Sequence, residues 1–382
     1  MDTDVLIIGA GIAGCSLANG LRAAGVEYEL VEKCETPLAS GAGILLQGGA
    51  LRALSALGLD AGDGVPEGHE IRCLNIGTAF NPSILKLPMV GALSRCLAMH
   101  RQDLHELLLA NVDSSKLHAG VTVDRVTERR AGYVAKLSDG ERISCRIIVG
   151  ADGINSQTRS RLLGDPVALR DTNQVCWRFV VDGWSRDDQG YELHHGSMRM
   201  GVIPLGRGRC YIFLVRRGLS LMDAKRYQMP DIIAMFSVFG GIGERVAASL
   251  GPGAEFLLHP LVDGGIRWHN NASIGLIGDA AHPVTPNLGM GAGLALEDSA
   301  VLCKLIEKHG LEPVIFRDLC SLRNARVRKI RGASFWFGRA AHVEHRVLRY
   351  IKFGVLRWVP QGIMKIMQDG ASNQFSRSLS RI

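Results

Sequence analysis

Four apolar residues, 5–8, lead into the turn GAGIAG at 9–14, and after an amphipathic stretch a second short run, Tyr28 to Val31, ends at Glu32. Short apolar runs of this kind read as strands covered on both faces, so the segment predicts strand, turn, helix, strand. Residues 41–59 have a glycine-rich entry and then a helix with Leu51, Leu54 and Leu57 on one face. MHRQDLHELLL at 99–109 places Arg101 just before a helix, and IIVGADGINSQTR at 147–159 predicts a buried strand, an Asp152-Gly153 turn and a helix. From Asp165 to Ala272 the period changes to two. QVCWRFVVDGW, YELHHGSMRMGVIPL and RCYIFLVRR predict antiparallel strands with glycine turns, and helices follow near 231–239 and 242–250. A last apolar strand ends at Gly278-Asp279, and a proline-punctuated loop leads into a helix from about Gly291.

The 382 residues suggest about two domains at roughly 150 residues each. No stretch approaches the ~18 apolar residues of a membrane span, and the acidic start lacks the basic region of a secretory signal. Nine cysteines lie far apart with no CxxC spacing, which predicts reduced thiols and a cytoplasmic protein. The net charge of +7 is concentrated, because residues 317–365 carry twelve Lys and Arg against Asp318 and Glu344. There Val347, Leu348, Ile351 and Val355 alternate at helical spacing with Arg346, Arg349, Lys352 and Arg357. Three readings of this segment stand: a basic helix packed on the nucleotide domain, a peripheral contact with a membrane or lipophilic substrate, or a dimer contact. Monomer and homodimer both stay open. No RNA-binding or zinc-finger pattern accompanies the charge, which argues against nucleic acid. No metal-ligand spacing and no Ser-His-Asp grouping occur, so no metal site is expected.

Gly9, Gly11 and Gly14 occupy the G-x-G-x-x-G positions of a dinucleotide turn. The first permits the tight turn, the second lets backbone approach a pyrophosphate, and the third lets helix and strand pack closely. Free N–H groups at the start of the next helix suit phosphate. Glu32, 18 residues after Gly14, suits a ribose hydroxyl.

With GADG and GDAAHPVTPNLGMGAG following in order, the chain resembles the class A, single-component FAD-dependent aromatic hydroxylases, the group of para-hydroxybenzoate and salicylate hydroxylases. The resemblance covers roughly residues 3–330. It implies an α/β fold with a GxGxxG Rossmann-like FAD-binding domain (1–165 and 273–330), an inserted mixed-sheet substrate domain (166–272), and C-terminal basic amphipathic helices (331–382). It also implies FAD contacts at Gly9, Gly11, Ala13, Gly14, Glu32, Lys33, Arg101, Val126, Asp152, Gly153, Asp279, Gly289, Gly291, Ala292 and Gly293. The early loop would take the ADP half. The late loop would aim a helix N-terminus at the flavin ring, where reduction develops negative charge. Met290 stands where many relatives have Gln, and Gly293 where they have Asn, so one polar flavin contact is not carried over.

Within that family the chain is similar to the 2-alkyl-4-quinolone 3-monooxygenases through CWRFVV (176–181), FGGIGERV (239–246), TPNLG (285–289) and WVP (358–360). Urate hydroxylases share spacing, and Arg199 and Tyr211 match their functional positions by offset from Pro204. Those enzymes have an acid where this chain has Asn287, which moves urate behind a more apolar heteroaromatic. Arg199 and Tyr211 are expected on neighbouring strands, orienting substrate or flavin. His194 and His195 point to opposite strand faces, and His194 is the candidate base for an acidic substrate N–H or O–H. His282 reads as structural.

The resemblance implies a monooxygenase of the EC 1.14.13 kind, using FAD, NADH or NADPH, and O2. It would hydroxylate an electron-rich (hetero)aromatic ring, a lipophilic one such as a 2-alkyl-4-quinolone, through a flavin C4a-hydroperoxide. The alternatives are hydroxylation, epoxidation or Baeyer–Villiger insertion on another aromatic or polyketide substrate, urate- or salicylate-like, or flavin dehydrogenation without oxygen transfer.

Overall fold

The computed structural model describes residues 2–37, 41–59, 68–89, 95–166, 168–184, 188–268, 273–342 and 375–382. The nucleotide half begins with β1 (Asp2–Ile8), α1 (Ile12–Ala23), β2 (Tyr28–Glu32), β3 (Gly43–Gln47) and α2 (Gly48–Ala56). It is followed by β4 (His69–Glu70), β5 (Cys73–Gly77), β6 (Leu85–Pro88), β7 (Cys96–His100), α3 (Arg101–Ala110), β8 (Leu117–Ala119), β9 (Val123–Arg129), β10 (Gly132–Leu137) and β11 (Arg142–Gly150). Then come β12 (Arg170–Val181), β13 (Gln189–His195), β14 (Met198–Gly206), β15 (Arg209–Arg217), α4 (Leu221–Ala224), α5 (Met229–Ser237), α6 (Gly241–Ser249) and β16 (Leu257–Asp263). The chain returns with β17 (Ile274–Leu276), α7 (Gly291–His309) and α8 (Val314–Ala341).

Strands β8, β2, β1 and β11 run parallel, and β17 joins beside the last residues of β11. The first residues of β11 carry β10 and β9 as an antiparallel meander. Parallel strands need cover on both faces, and here α1 and the meander supply it. Leu17 and Leu21 of α1 lie in one core with Val5 and Ile7, whereas Leu6 and Ile8 pack against Tyr133 and Leu137. Helix α7 packs on α1 so closely that a Cβ at Gly20 would overlap Cys303 Sγ.

The second sheet has the order β16-β12-β15-β14-β13-β5-β6. Its alternation decides which face does what. Trp177, Phe179, Leu193, Met200, Val202, Ile212 and Leu214 form a core with Ile232, Phe236 and Val246 of α5 and α6. The other residues of the same strands, including Arg178, Glu192, His194, Arg199 and Tyr211, face the nucleotide half. Two strands of this sheet, β5 and β6, come from residues 73–88, and β5 pairs parallel with β13. A small sheet, β3-β7-β4, lies where the two halves meet.

The helix expected after Asp152-Gly153 is a single five-residue π-turn, Thr158–Leu162. Asp152 spends its carboxylate capping it, accepting from the Gln157 and Thr158 N–H groups at 2.8 and 2.9 Å. Helix α8 runs unbroken through residue 330. The amphipathic segment at 346–357 and the WVP at 358–360 lie outside the described residues. Among the described residues no helix is long and apolar enough to cross a membrane.

Candidate flavin and substrate site

The three glycines of the first turn are each demanded by a different neighbour. Gly9 has φ +104°, and a Cβ there would come within 2.7 Å of the Ala151 carbonyl oxygen. This contact joins the first turn to the GADG segment. A Cβ at Gly14 would overlap the Gly9 carbonyl oxygen, so helix and strand could not close. At Gly11 a Cβ would meet nothing within 4 Å. Gly11 therefore leaves open space rather than fitting against protein, as a backbone that must approach a pyrophosphate requires. Glu32 accepts from the Ala10 N–H at 2.7 Å, which fixes its carboxylate at the tip of β2 beside that turn. Lys33 is exposed next to it, and Val126 is half-buried against the cluster holding Ile8 and Val31.

The late loop meets the early one directly. Gly278 adopts φ +59° between Ala13 and Ala295, whose Cβ atoms lie 3.2 and 3.3 Å from where its own would be. Asp298 holds this turn by accepting from the Gly278 N–H at 3.0 Å, from His282 Nε2 at 2.5 Å and from Arg323 Nε at 2.7 Å. Gly289 is left-handed at φ +62°, and α7 starts two residues on. A Cβ at Gly293 would lie 3.3 Å from that of Ala50, so α2 crowds the position where relatives carry Asn.

Neither α1 nor α7 has a capping side chain or an acid in its first turn. Two helices thus present unpaired N–H groups and positive dipole ends on adjacent loops. Two such ends, with the open approach at Gly11, fit the diphosphate and flavin ends of one FAD. Gly291 and Ala292 open α7 at the end of the late loop, and Gly153 lies on the GADG segment that meets Gly9. Arg101 and Asp279 are exposed to solvent yet lie deep between the two halves, as walls of an open cleft. Burial lowers the Arg101 pKa while Asp279 opposes the shift. Burial raises that of Asp279 while His282 and Arg101 oppose it.

Across this cleft the substrate sheet presents Arg178 and Tyr211. Tyr211 lies opposite Val180, diagonal to Arg178 on the same sheet face, and its pKa is raised, chiefly by burial, with the guanidinium opposing the shift. The Tyr211 ring packs so tightly on Gly43 that no Cβ fits there. His259 stays below its ordinary pKa through burial and the fields of Arg178 and Arg101. Arg178 was not singled out in the sequence, although the alternation of CWRFVV puts it opposite Trp177 and Phe179.

Arg199 and Tyr211 do sit on neighbouring strands, but Arg199 pairs with Val215 and Tyr211 with Ile203, four residues apart. Arg199 belongs to a different, buried cluster. Its Nη1 donates to Glu192 at 3.0 Å and its Nη2 to Asn287. His194 lies opposite Arg199 in register, with Nδ1 donating to the Ala341 carbonyl at 3.0 Å and Nε2 3.3 Å from Glu192. Asn287 donates to the Ser334 carbonyl at 3.0 Å, so the cluster ties the sheet and the flavin loop to α8. His195 is exposed on the other face, against Phe239.

A two-loop, two-helix cradle under a mixed sheet defines an FAD-binding oxidoreductase. A model of the FAD binding domain family matches residues 2–181. The chain is 33% identical over 367 residues to 2-heptyl-3-hydroxy-4(1H)-quinolone synthase of Pseudomonas aeruginosa (strain UCBPP-PA14), covering 93% of this chain and 94% of the relative. It is 29% identical over 379 residues to aurachin C monooxygenase/isomerase of Stigmatella aurantiaca, covering 96% and 94%. The fold matches Klebsiella pneumoniae HpxO complexed with FAD and uric acid with a TM-score of 0.84 at 21% identity, over 98% of this chain and 97% of that one. The chain belongs to the FAD-dependent aromatic monooxygenases, the class A flavin hydroxylases, and its α/β fold is the one that the resemblance implied.

Proposed function

We propose that the protein is an NAD(P)H-consuming monooxygenase that places one atom of O2 on an electron-rich, lipophilic heteroaromatic ring of the 2-alkyl-4-quinolone class. The setting of Tyr211 carries this reading. Arg178 and Tyr211, on one face of neighbouring strands, stand beside half-buried Leu45, Leu74, Met89 and Val180, which pack on Ile203 and Leu205. Such a wall offers two donors to a ring carbonyl and apolar surface to an alkyl chain. In a 4-quinolone the ring nitrogen conjugates with C3, which makes that carbon nucleophilic. The 33% identical relative is named for a 3-hydroxy-quinolone product, and Asn287 in place of an acid suits an uncharged ring.

Bound FAD supplies hydride acceptance and oxygen activation. The overall balance is ring C–H, O2, NAD(P)H and a proton giving ring C–OH, water and NAD(P)+. The chain's part is to fix the ring against Arg178 and Tyr211, to exclude water with the apolar wall, and to place two helix dipoles under developing negative charge. Incubation under 18O2 with 2-heptyl-4-quinolone, salicylate and urate tests the reading. One labelled oxygen in a hydroxylated quinolone is expected. Unlabelled product, or a preference for salicylate or urate, would falsify it.

A further inference from the structure

At the end of the substrate sheet away from Tyr211, a cavity of about 190 Å3 opens between the start of β12, the end of β15, the 285–287 loop and the last turns of α8. Its wall carries Arg170, Arg217 and Arg339 against one carboxylate, Asp171, which already accepts from the Asn173 N–H at 2.8 Å. Asp263 lies 3.7 Å from Arg170 but is held through both oxygens by Arg331, at 3.1 and 2.7 Å. The cavity is therefore net cationic. Arg170 and Arg339 both lie over the Phe335 ring, at 4.6 and 5.8 Å, which keeps two like charges at one wall.

Gln174 also lines the cavity. It is 5% exposed, and its amide oxygen has no partner among the described residues. An amide can flip to present its NH2 group instead. A cationic cavity holding an unmet buried polar group has the character of a site that awaits a ligand.

Its position limits that ligand. Gln174 and Arg217 are paired in register, and Arg217 is six residues beyond Tyr211 on the same strand face. At ~3.4 Å per residue the span is roughly 20 Å. A substituent on a ring held at Tyr211 does not cover that distance, and a dinucleotide whose phosphates sit at the cavity extends its nicotinamide part of the way back along the sheet toward Tyr211. The volume is below the roughly 300 Å3 of sites that enclose whole ligands, so the cavity holds one charged group of a longer molecule.

We propose that this cavity binds the phosphate oxygens of the reduced pyridine dinucleotide. The proposal rests on the reading that such a dinucleotide reduces the flavin. Guanidinium groups take phosphate oxygens in paired, charge-assisted bonds. The nicotinamide end then lies along the sheet face toward Tyr211, and Asn287 separates the phosphate cavity from Arg199.

The test is the Arg217→Gln/Arg339→Gln double variant of the FAD-loaded protein at constant ionic strength. In anaerobic rapid-mixing reduction the apparent Kd for NADH or NADPH should rise about ten-fold or more. The limiting reduction rate and the quinolone KM should stay unchanged, and the double Lys variant should recover part of the affinity. Inorganic pyrophosphate should raise the melting temperature of the wild type and compete with the dinucleotide, and should do neither in the Gln variant. Equal dinucleotide affinity in variant and wild type overturns the proposal, whatever pyrophosphate does. So does a change confined to the quinolone KM, which would make the cavity a substrate site. If neither dinucleotide reduces the wild type, the reading of the hydride donor fails. The pyrophosphate titration, which needs no reduction, then still decides whether the cavity binds an oxyanion.

Discussion

Arg199 Nη1 and Glu192 Oε1 form a 3.0 Å ion pair in which both side chains are almost sealed from solvent. A buried pair contributes less than its Coulomb attraction suggests, but breaking one side leaves a bare charge and costs about 3–5 kcal/mol. Glu192→Gln should destabilise the fold by that amount near neutral pH. Burial alone would raise the Glu192 pKa, but Arg199 and His194 outweigh it and hold the carboxyl at about 2. Its folded value thus lies below the unfolded one of about 4.3. The stabilisation is fully present above the unfolded value and is lost as pH falls toward the folded one. In urea unfolding, the gap between wild type and Glu192→Gln should be large at pH 7 and shrink below pH 4. A gap that ignores pH would show that the carboxylate is not the group concerned.

The nucleotide turn was legible because its residues are dictated locally. Gly9 and Gly14 have no room for a Cβ, and their spacing alone reveals it. The polar face of the substrate sheet was only half legible. Period-two alternation points Arg178, Glu192, His194 and Arg199 the same way, yet only register shows that Arg199 lies opposite His194, with Glu192 between them, while Tyr211 lies diagonal to Arg178. Strand β5 could not be placed from sequence, because its parallel pairing with β13 joins residues more than a hundred apart. Asp152 is expected among the FAD contacts, and its four bonds to Ser156, Gln157 and Thr158, which build a π-turn, were not legible from the motif's spacing.

Gly11 and Gly14 should fail in different ways. Gly14→Ala forces a Cβ into the Gly9 carbonyl and should lower the stability of the flavin-free protein by several kcal/mol, beyond the usual ~1–3 for overpacking. Gly11→Ala has open space and φ −77°, so the flavin-free melting temperature should be unchanged while FAD affinity falls at least about ten-fold. Calorimetry of the flavin-free proteins and FAD titration by fluorescence separate the two. Equal FAD affinity in Gly11→Ala and wild type would remove the early loop from the cofactor site.

Asp298 links fold stability to the late loop. Asp298→Asn disturbs the bonds to Gly278, His282 and Arg323 together and should cost about 3–5 kcal/mol. Because Gly278 sits against Ala13, FAD should also be released more readily on gel filtration. Glu297→Gln breaks the neighbouring buried pairs with Arg323 and Arg326 but leaves the bonds from Gly278 and His282 to Asp298 in place, Arg323 being the one group that the two carboxylates share. That variant should lose similar stability but retain more FAD. Equal flavin loss in both would mean that release follows global loosening and not the turn.

Tyr211→Phe isolates the phenol. The ring keeps its packing on Gly43 and its apolar neighbours, so stability should change by no more than about 1 kcal/mol. The substrate loses one of its two proposed donors, which predicts a fall in kcat/KM of about ten-fold or more. A ring that is poorly held also leaves reduced flavin open to water, so hydrogen peroxide per NAD(P)H consumed should rise while the rate of flavin reduction holds. Arg178→Gln should give the same uncoupling, and the double variant should be little worse than either single one, because the two groups act as one unit. Additive losses would mean that Arg178 and Tyr211 hold separate parts of the substrate. Unchanged coupling in both single variants would move the reacting ring away from this end of the sheet.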